Sequence, residues 1–220
     1  MKFQSEFELV SVLKETLRCK YKTAQIEIFE EVSLGYGIAD IIISRLKKPL
    51  INIEPSFPVL NVSDINIFNL IQINEGITFD TILDTTKGSR ESLIKSLDVL
   101  IRSNYLYTRN SAFFIRENYE LPFHENFAIE AKLKDWKRAL NQAYRYKWFA
   151  EYSYVVLDSH FANPAIKNMD LFSKFNIGLA SISKDGKLIK YFTPKRHQPY
   201  DKKMQILLAE KIKNNYEFAK

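Results

Sequence analysis

One charged side chain, Asp40, sits inside a nearly continuous apolar run, Ile38-Ala-Asp-Ile-Ile-Ile43. A run of this kind reads as a strand covered on both faces. A carboxylate inside it is strongly unfavourable unless something pairs with it. A second predicted strand, 127 to 133, carries the same kind of interruption, Ile129-Glu130-Ala131-Lys132. Glu130 and Lys132 are two positions apart and therefore share a face. If the two strands pair, Asp40 joins them at one edge, and two carboxylates and one ammonium face a single point. That set suits a hard divalent cation such as Mg²⁺, which takes one or two carboxylates, keeps several waters and completes its shell with phosphate oxygens. Taken alone, Glu130 and Lys132 also fit a cross-strand pair on a solvated face. Asp40 among its apolar neighbours does not.

The pattern around these strands sets the fold class. Phe7, Val10, Leu13 and Leu17 recur at helical spacing and predict a helix from Ser5 to Lys20. Strands are expected at 25–32 and 38–44, with Gly35-Tyr36-Gly37 as the turn, before a proline-bearing break from Lys47 to Pro58. From Ser63 the texture is helical: Ile65 to Ile71, Phe79 to Leu83, and Leu93, Ile94, Leu97, Leu100 and Ile101 mark three helices. Tyr105-Leu-Tyr-Thr and Ala112-Phe-Phe-Ile then flank Arg109-Asn110-Ser111 as a hairpin. Three helices and a hairpin resemble a winged helix-turn-helix. The strand texture resumes at Asn126, with a helix from Lys134 to Glu151, strands at 152–157, 177–183 and 188–192, and a last helix from Asp201 to Glu217. The expected fold is therefore α/β, a mixed sheet flanked by helices, with residues 1–60 and 121–220 forming a discontinuous core around a winged-helix insert at 61–120.

Composition narrows the function classes. With 46% apolar and 14% aromatic residues in 220, extended disorder, collagen and whole-chain coiled coil are excluded. No apolar run approaches the roughly 18 residues that span a bilayer, and the first ten residues carry Glu6 and Glu8 rather than the apolar core of a signal peptide. Cys19 stands alone, so a metal would be held by oxygen or imidazole, and the expected location is cytoplasmic. The net charge is +6, and residues 121–220 hold 18 basic and 10 acidic side chains, against 6 and 8 in 61–120. A polyanionic partner therefore belongs to the C-terminal part, where counterion release from phosphates favours binding.

Asp40 with Glu130-x-Lys132 resembles the signature of the PD-(D/E)xK nuclease superfamily. Gln142-Ala-Tyr-Arg-Tyr146 in the following helix is similar to the Q-x-x-x-Y element of its RecB-like branch. The order helix, two strands, acidic strand, E-x-K strand, helix, strand fits a restriction-endonuclease-like core. Two features depart from the pattern: Ala39 stands where the family has proline, and the separation of Asp40 from Glu130 requires an inserted module, which the winged helix supplies. The resemblance implies that Asp40 and Glu130, with the carbonyl of Ala131, hold Mg²⁺ or Mn²⁺. It further implies that Lys132 assists the attacking water, that Gln142 and Tyr146 reach the site or the DNA backbone, and that Glu6 is a supplementary acidic residue.

Plainer readings of the same residues stay open. Gln142 and Tyr146 also fit the surface and core of an amphipathic helix. Glu6 also fits a first-turn glutamate favoured by the helix dipole, and Asp158 with His160 a loop pairing. Lys195-Arg196-His197 is a basic run that can meet phosphates or stand as a solvated loop. The expected function is a Mg-dependent deoxyribonuclease acting on DNA. Its alternative is a non-catalytic DNA-binding or assembly protein with a degenerate nuclease fold. A transcription regulator built on the winged helix would need a more basic insert, since Glu91 and Asp98 dilute Lys87, Arg90, Lys95 and Arg102. The insert offers either DNA or a protein partner. No membrane partner is expected, and because two strands need two sites, a homodimer is among the expected assemblies.

Overall fold

A computed structural model of the chain describes residues 2–22, 25–34, 37–54 and 58–215. In chain order the elements are α1 (Glu6–Lys20), β1 (Ile26–Ser33), β2 (Ile38–Leu46), α2 (Val62–Ile73), β3 (Ile77–Thr78), α3 (Phe79–Thr86), α4 (Arg90–Arg102), β4 (Leu106–Arg109), β5 (Ala112–Ile115) and β6 (Phe123–Lys132). There follow α5 (Trp136–Arg145), β7 (Tyr152–Asp158), α6 (Asn163–Ile166), α7 (Met169–Phe175), β8 (Gly178–Ile182), β9 (Leu188–Phe192) and α8 (Lys202–Asn215). The architecture is mixed α/β, and no helix is long and apolar enough to cross a membrane among the described residues. The chain divides into two units, residues 1–52 with 122–202 and residues 53–121 with 203–220.

The first unit is a six-stranded mixed sheet in the order β1-β2-β6-β7-β8-β9 with flanking helices. Two pairings fix the site. β2 and β6 run antiparallel with Ile41 opposite Ile129, and β6 and β7 run parallel with Glu130 opposite Val155. One apolar core gathers Leu9, Leu13 and Leu17 of α1 against Ile41, Ile43, Ile129, Ala131, Val156 and Ile182. Full burial of each such side chain is worth about 1.5–3 kcal/mol. Because side chains alternate along a strand, Glu130 between Ile129 and Ala131 points to the opposite face, over which α5 packs. Helix α1 begins where Ser5 Oγ accepts a hydrogen bond from the Glu8 amide at 3.1 Å, and its acidic first turn and basic last turn suit the helix dipole. Helix α5 begins where Asp135 accepts from the Arg138 amide at 3.1 Å.

The elements differ from expectation in a few places. Strand β6 starts at Phe123, because Leu46 of β2 continues the ladder to that residue past a register shift. Helix α5 ends at Arg145, and Tyr146–Trp148 tightens into a 3-10 turn instead of continuing to Glu151. The short helices α6 and α7, between β7 and β8, carry too few turns to show a periodicity. Gly35 and Tyr36 of the expected turn lie outside the described residues, as do the last residues of the expected C-terminal helix.

In the second unit α2, α3 and α4 pack with a three-stranded sheet, order β3-β5-β4, around Phe68, Ile71, Ile82, Leu97, Leu100 and Leu106. Asn61 and Asp64 form a reciprocal capping box at the start of α2. Asn110 and Ser111, with φ of 50° and 60°, make the left-handed pair that closes the β4–β5 hairpin. The sequence reading placed the last helix in the core with 121–220, whereas residues 203–220 group with this second unit. The reason is visible at Glu210, which is 1% exposed and accepts from the Leu60 amide at 2.8 Å and from the Tyr119 hydroxyl at 2.5 Å.

Candidate active site

The ends of β2 and β6 and the first turn of α1 bring four of the expected residues together. Asp40 immediately precedes the first β2 residue that pairs with β6, and its Oδ2 accepts a hydrogen bond from the Ala131 amide at 2.7 Å. The carboxylate thus takes over a ladder position that a backbone carbonyl would fill. Lys132 Nζ lies 2.9 Å from Glu130 Oε1 and 3.1 Å from Glu6 Oε2. Glu130 is 1% exposed; its Oε2 accepts a short hydrogen bond from the Tyr146 hydroxyl. Its Oε1 is ion-paired with that ammonium and has no other partner among the described residues.

The electrostatics follow from burial. Desolvation, and then the neighbouring Asp40 charge, push the Glu130 carboxyl above its ordinary value despite Tyr146 and Lys132. Desolvation likewise raises Asp40, against the Ala131 amide and Lys132. Burial opposes the Lys132 ammonium, but its bond to Glu130 and the charges of Glu130 and Asp40 outweigh that and hold its pKa above the usual lysine value. The site is therefore a crowded set of carboxylates whose negative charge one lysine only partly offsets. Such a site gains from an added cation.

A cleft of about 400 Å³ beside this cluster is lined by Glu6, Phe7, Lys14, Glu30, Glu31 and Asp40. Glu31 was not foreseen as a site residue. It holds φ of +50° within β1, at the position facing Asp40 where the ladder between Glu30–Ile41 and Val32–Ala39 is interrupted. A left-handed non-glycine residue costs on the order of 1–3 kcal/mol and needs the surroundings to hold it. A glutamate in an exposed strand carries no sequence signal for that conformation.

Tyr146, expected to reach nucleic acid, is 2% exposed, and its hydroxyl is also 2.8 Å from the Ile38 carbonyl oxygen. Its single proton serves Glu130 or Ile38, so it is a support for the carboxylate. Gln142, one turn earlier on α5, is half-buried, with an enclosed Oε1 that lacks a hydrogen-bond partner among the described residues. Lys195 and Arg196 are exposed: the Lys195 backbone exchanges two 2.8 Å hydrogen bonds with the Asn176 side chain, and Arg196 Nη2 donates to the His124 carbonyl at 3.2 Å. Asp158 is fully buried and accepts from the Phe3 and His160 amides, both at 2.9 Å, which is a structural tie of the N-terminus to β7. No group of three or more His, Cys, Asp or Glu residues forms a ready metal cage among the described residues. Compared with known proteins, the chain matches no family model, no curated protein and no solved structure.

Proposed function

We propose that the chain is a divalent-metal-dependent nuclease that hydrolyses DNA phosphodiester bonds. In this reading the first unit is a restriction-endonuclease-like core of the PD-(D/E)xK kind, RecB-like branch, and the second, whose residues 53–121 interrupt it in sequence, is a winged-helix unit. The observation that carries the reading is the convergence of Asp40, Glu130 and Lys132 at the paired ends of β2 and β6, with Glu130 buried and its Oε1 beside the Lys132 ammonium.

The donors fit a hard cation: two carboxylates and the Ala131 carbonyl are oxygen ligands, and water and phosphate would complete the shell of Mg²⁺ or Mn²⁺. When bound, the ion polarises the phosphoryl group and lowers the pKa of the attacking water. The chain's own residues supply the rest. Lys132, held by Glu130 and Glu6, keeps a positive charge where negative charge grows on the phosphate in the transition state. Tyr146 fixes the orientation of Glu130. Lys195 and Arg196 meet phosphates away from the reacting one.

One observation favours a non-catalytic DNA-binding or assembly protein instead: Lys132 already pairs with two of the carboxylates and so takes up part of the charge that a cation would neutralise. Incubating the full chain with Mn²⁺ and labelled single-stranded, duplex and branched DNA separates the two. Divalent-dependent cleavage supports the nuclease, and binding with no cleavage of any form supports the alternative.

A further inference from the structure

The exposed face of α5 is a second feature that the carboxylate site does not explain. Trp136, Ala139, Leu140 and Ala143 bury one side of this helix. The other side presents Lys134 just before the helix, then Arg138, Asn141 and Arg145, all exposed and spaced four, three and four residues apart. Within the helix that spacing sets Arg138, Asn141 and Arg145 in one stripe with neighbours about 5–6 Å apart, and Lys134 lies ahead of the cap at its N-terminal end. The one carboxylate of the segment, Asp135, is used as the helix cap. No carboxylate pairs with Lys134, Arg138 or Arg145 among the described residues.

The stripe also leads somewhere. Arg138, Gln142 and Tyr146 follow at four-residue intervals and go from exposed through half-buried to buried, and the row ends on Glu130. Uncompensated guanidinium groups descending to a carboxylate site match an anionic polymer whose charges repeat along its length and one of whose units must enter that site.

We propose that the exposed α5 stripe, Arg138, Asn141 and Arg145, with Lys134 just ahead of the helix, binds the phosphodiester backbone of a nucleic acid strand and leads it to Glu130. This rests on the nuclease reading for its direction of travel, but not for its binding. Arginine suits the role, since its planar fork grips a phosphate through two parallel N–H donors, and asparagine adds a neutral donor between the two arginines.

The test is fluorescence anisotropy of the full chain with a labelled DNA oligonucleotide in Ca²⁺ buffer, as a function of salt. Replacing Arg138 and Arg145 by alanine removes two phosphate contacts. At 0.15 M salt this lowers affinity roughly 10- to 30-fold and makes the plot of log affinity against log salt shallower by about 1.4–1.8. The control pair Lys20→Ala with Lys187→Ala removes equal charge from other exposed positions and changes affinity less than threefold (~0.6 kcal/mol). Arg138→Lys with Arg145→Lys keeps the charge and retains most of the binding, and because these side chains are exposed the unfolding temperature of every variant stays at the parent value. Equal affinity and slope for the alanine pair and the parent overturn the proposal, as does equal loss in the control pair or a parent that binds an acidic polypeptide and no nucleic acid. Cleavage in Mn²⁺ is read separately. Binding lost with the stripe but no cleavage by the parent leaves this proposal standing and removes the nuclease reading; cleavage by the parent with no role for the stripe does the reverse.

Discussion

Replacing Glu130 by glutamine keeps the shape of a side chain that is 1% exposed and keeps an acceptor for the Tyr146 hydroxyl, while removing one buried negative charge. Two effects compete. Removing one partner of a buried ion pair usually destabilises by about 3–5 kcal/mol because the other charge is stranded. Here Lys132 is not stranded: Glu6 stays at 3.1 Å and the Asp40 charge remains near. The raised pKa of Glu130 already weighs its attraction to Lys132 against burial and Asp40, and its direction says that the pocket disfavours the charged form. The metal-free variant should therefore match the parent or melt slightly above it, within the 2–4 °C that about 1 kcal/mol represents for a chain of this size. A divalent ion reverses the order. At a hundred times its dissociation constant, an ion that binds only the folded chain adds about 2.7 kcal/mol, or about 5–11 °C, to the parent and little to the variant. The assay is thermal unfolding followed by intrinsic fluorescence, with and without Mn²⁺. A metal-free variant that melts well below the parent, or Mn²⁺ shifts that are equal in both, would refute this account of the pocket.

The pH dependence has a definite sign. Asp40 and Glu130 lie above their ordinary values of 3.8 and 4.5 in the folded chain, so the folded state binds more protons than the unfolded one across that window. Without metal, their contribution to stability falls as pH rises from the ordinary carboxylate values through the raised ones; the Asp40→Asn, Glu130→Gln double variant should flatten that part of the melting-temperature curve, and a parallel curve counts against the assignment. Gly178 lies opposite Tyr154 in the β7–β8 ladder, and a Cβ there would overlap the tyrosine ring; Gly178→Ala should destabilise by about 1–3 kcal/mol in denaturant titration, and an unchanged midpoint would contradict the packing. Neutralising Lys195 and Arg196 should weaken DNA binding more than neutralising Lys87 and Arg90, because Arg90 stacks 4.8 Å over Phe79 in a unit with no basic excess; the opposite ranking in a titration would move the contact to the second unit.

The sequence made the strands and the carboxylates legible for one physical reason: a charge inside an apolar strand is so unfavourable that it marks itself. Asp40 and Glu130 stand out in this way, and the antiparallel pairing with Ile41 opposite Ile129 brings them together. The same reasoning found the helices whose apolar stripes run for three turns or more, such as α1 and α4. It did not reach Glu31, whose role comes from a backbone angle, and it left Tyr146 open between the core and the nucleic acid, which the tightening of the chain after Arg145 decides. The grouping of α8 was illegible because its apolar face says only that it is covered, while the partners, Leu60 and Tyr119 on Glu210, are distant in sequence. The basic stripe of α5 was written in the sequence, but its freedom from acidic partners is a property of the fold.

Single-turnover cleavage of labelled DNA as a function of Mn²⁺, for the parent, Asp40→Asn, Glu130→Gln and their double variant, tests the central claim most directly. The account predicts divalent-dependent cleavage by the parent, a loss of at least about 100-fold in either single variant with DNA binding retained, and a double variant little worse than either, because the two carboxylates work as one unit. A Glu130→Gln chain that cleaves as fast as the parent, or losses that multiply in the double variant, would contradict it.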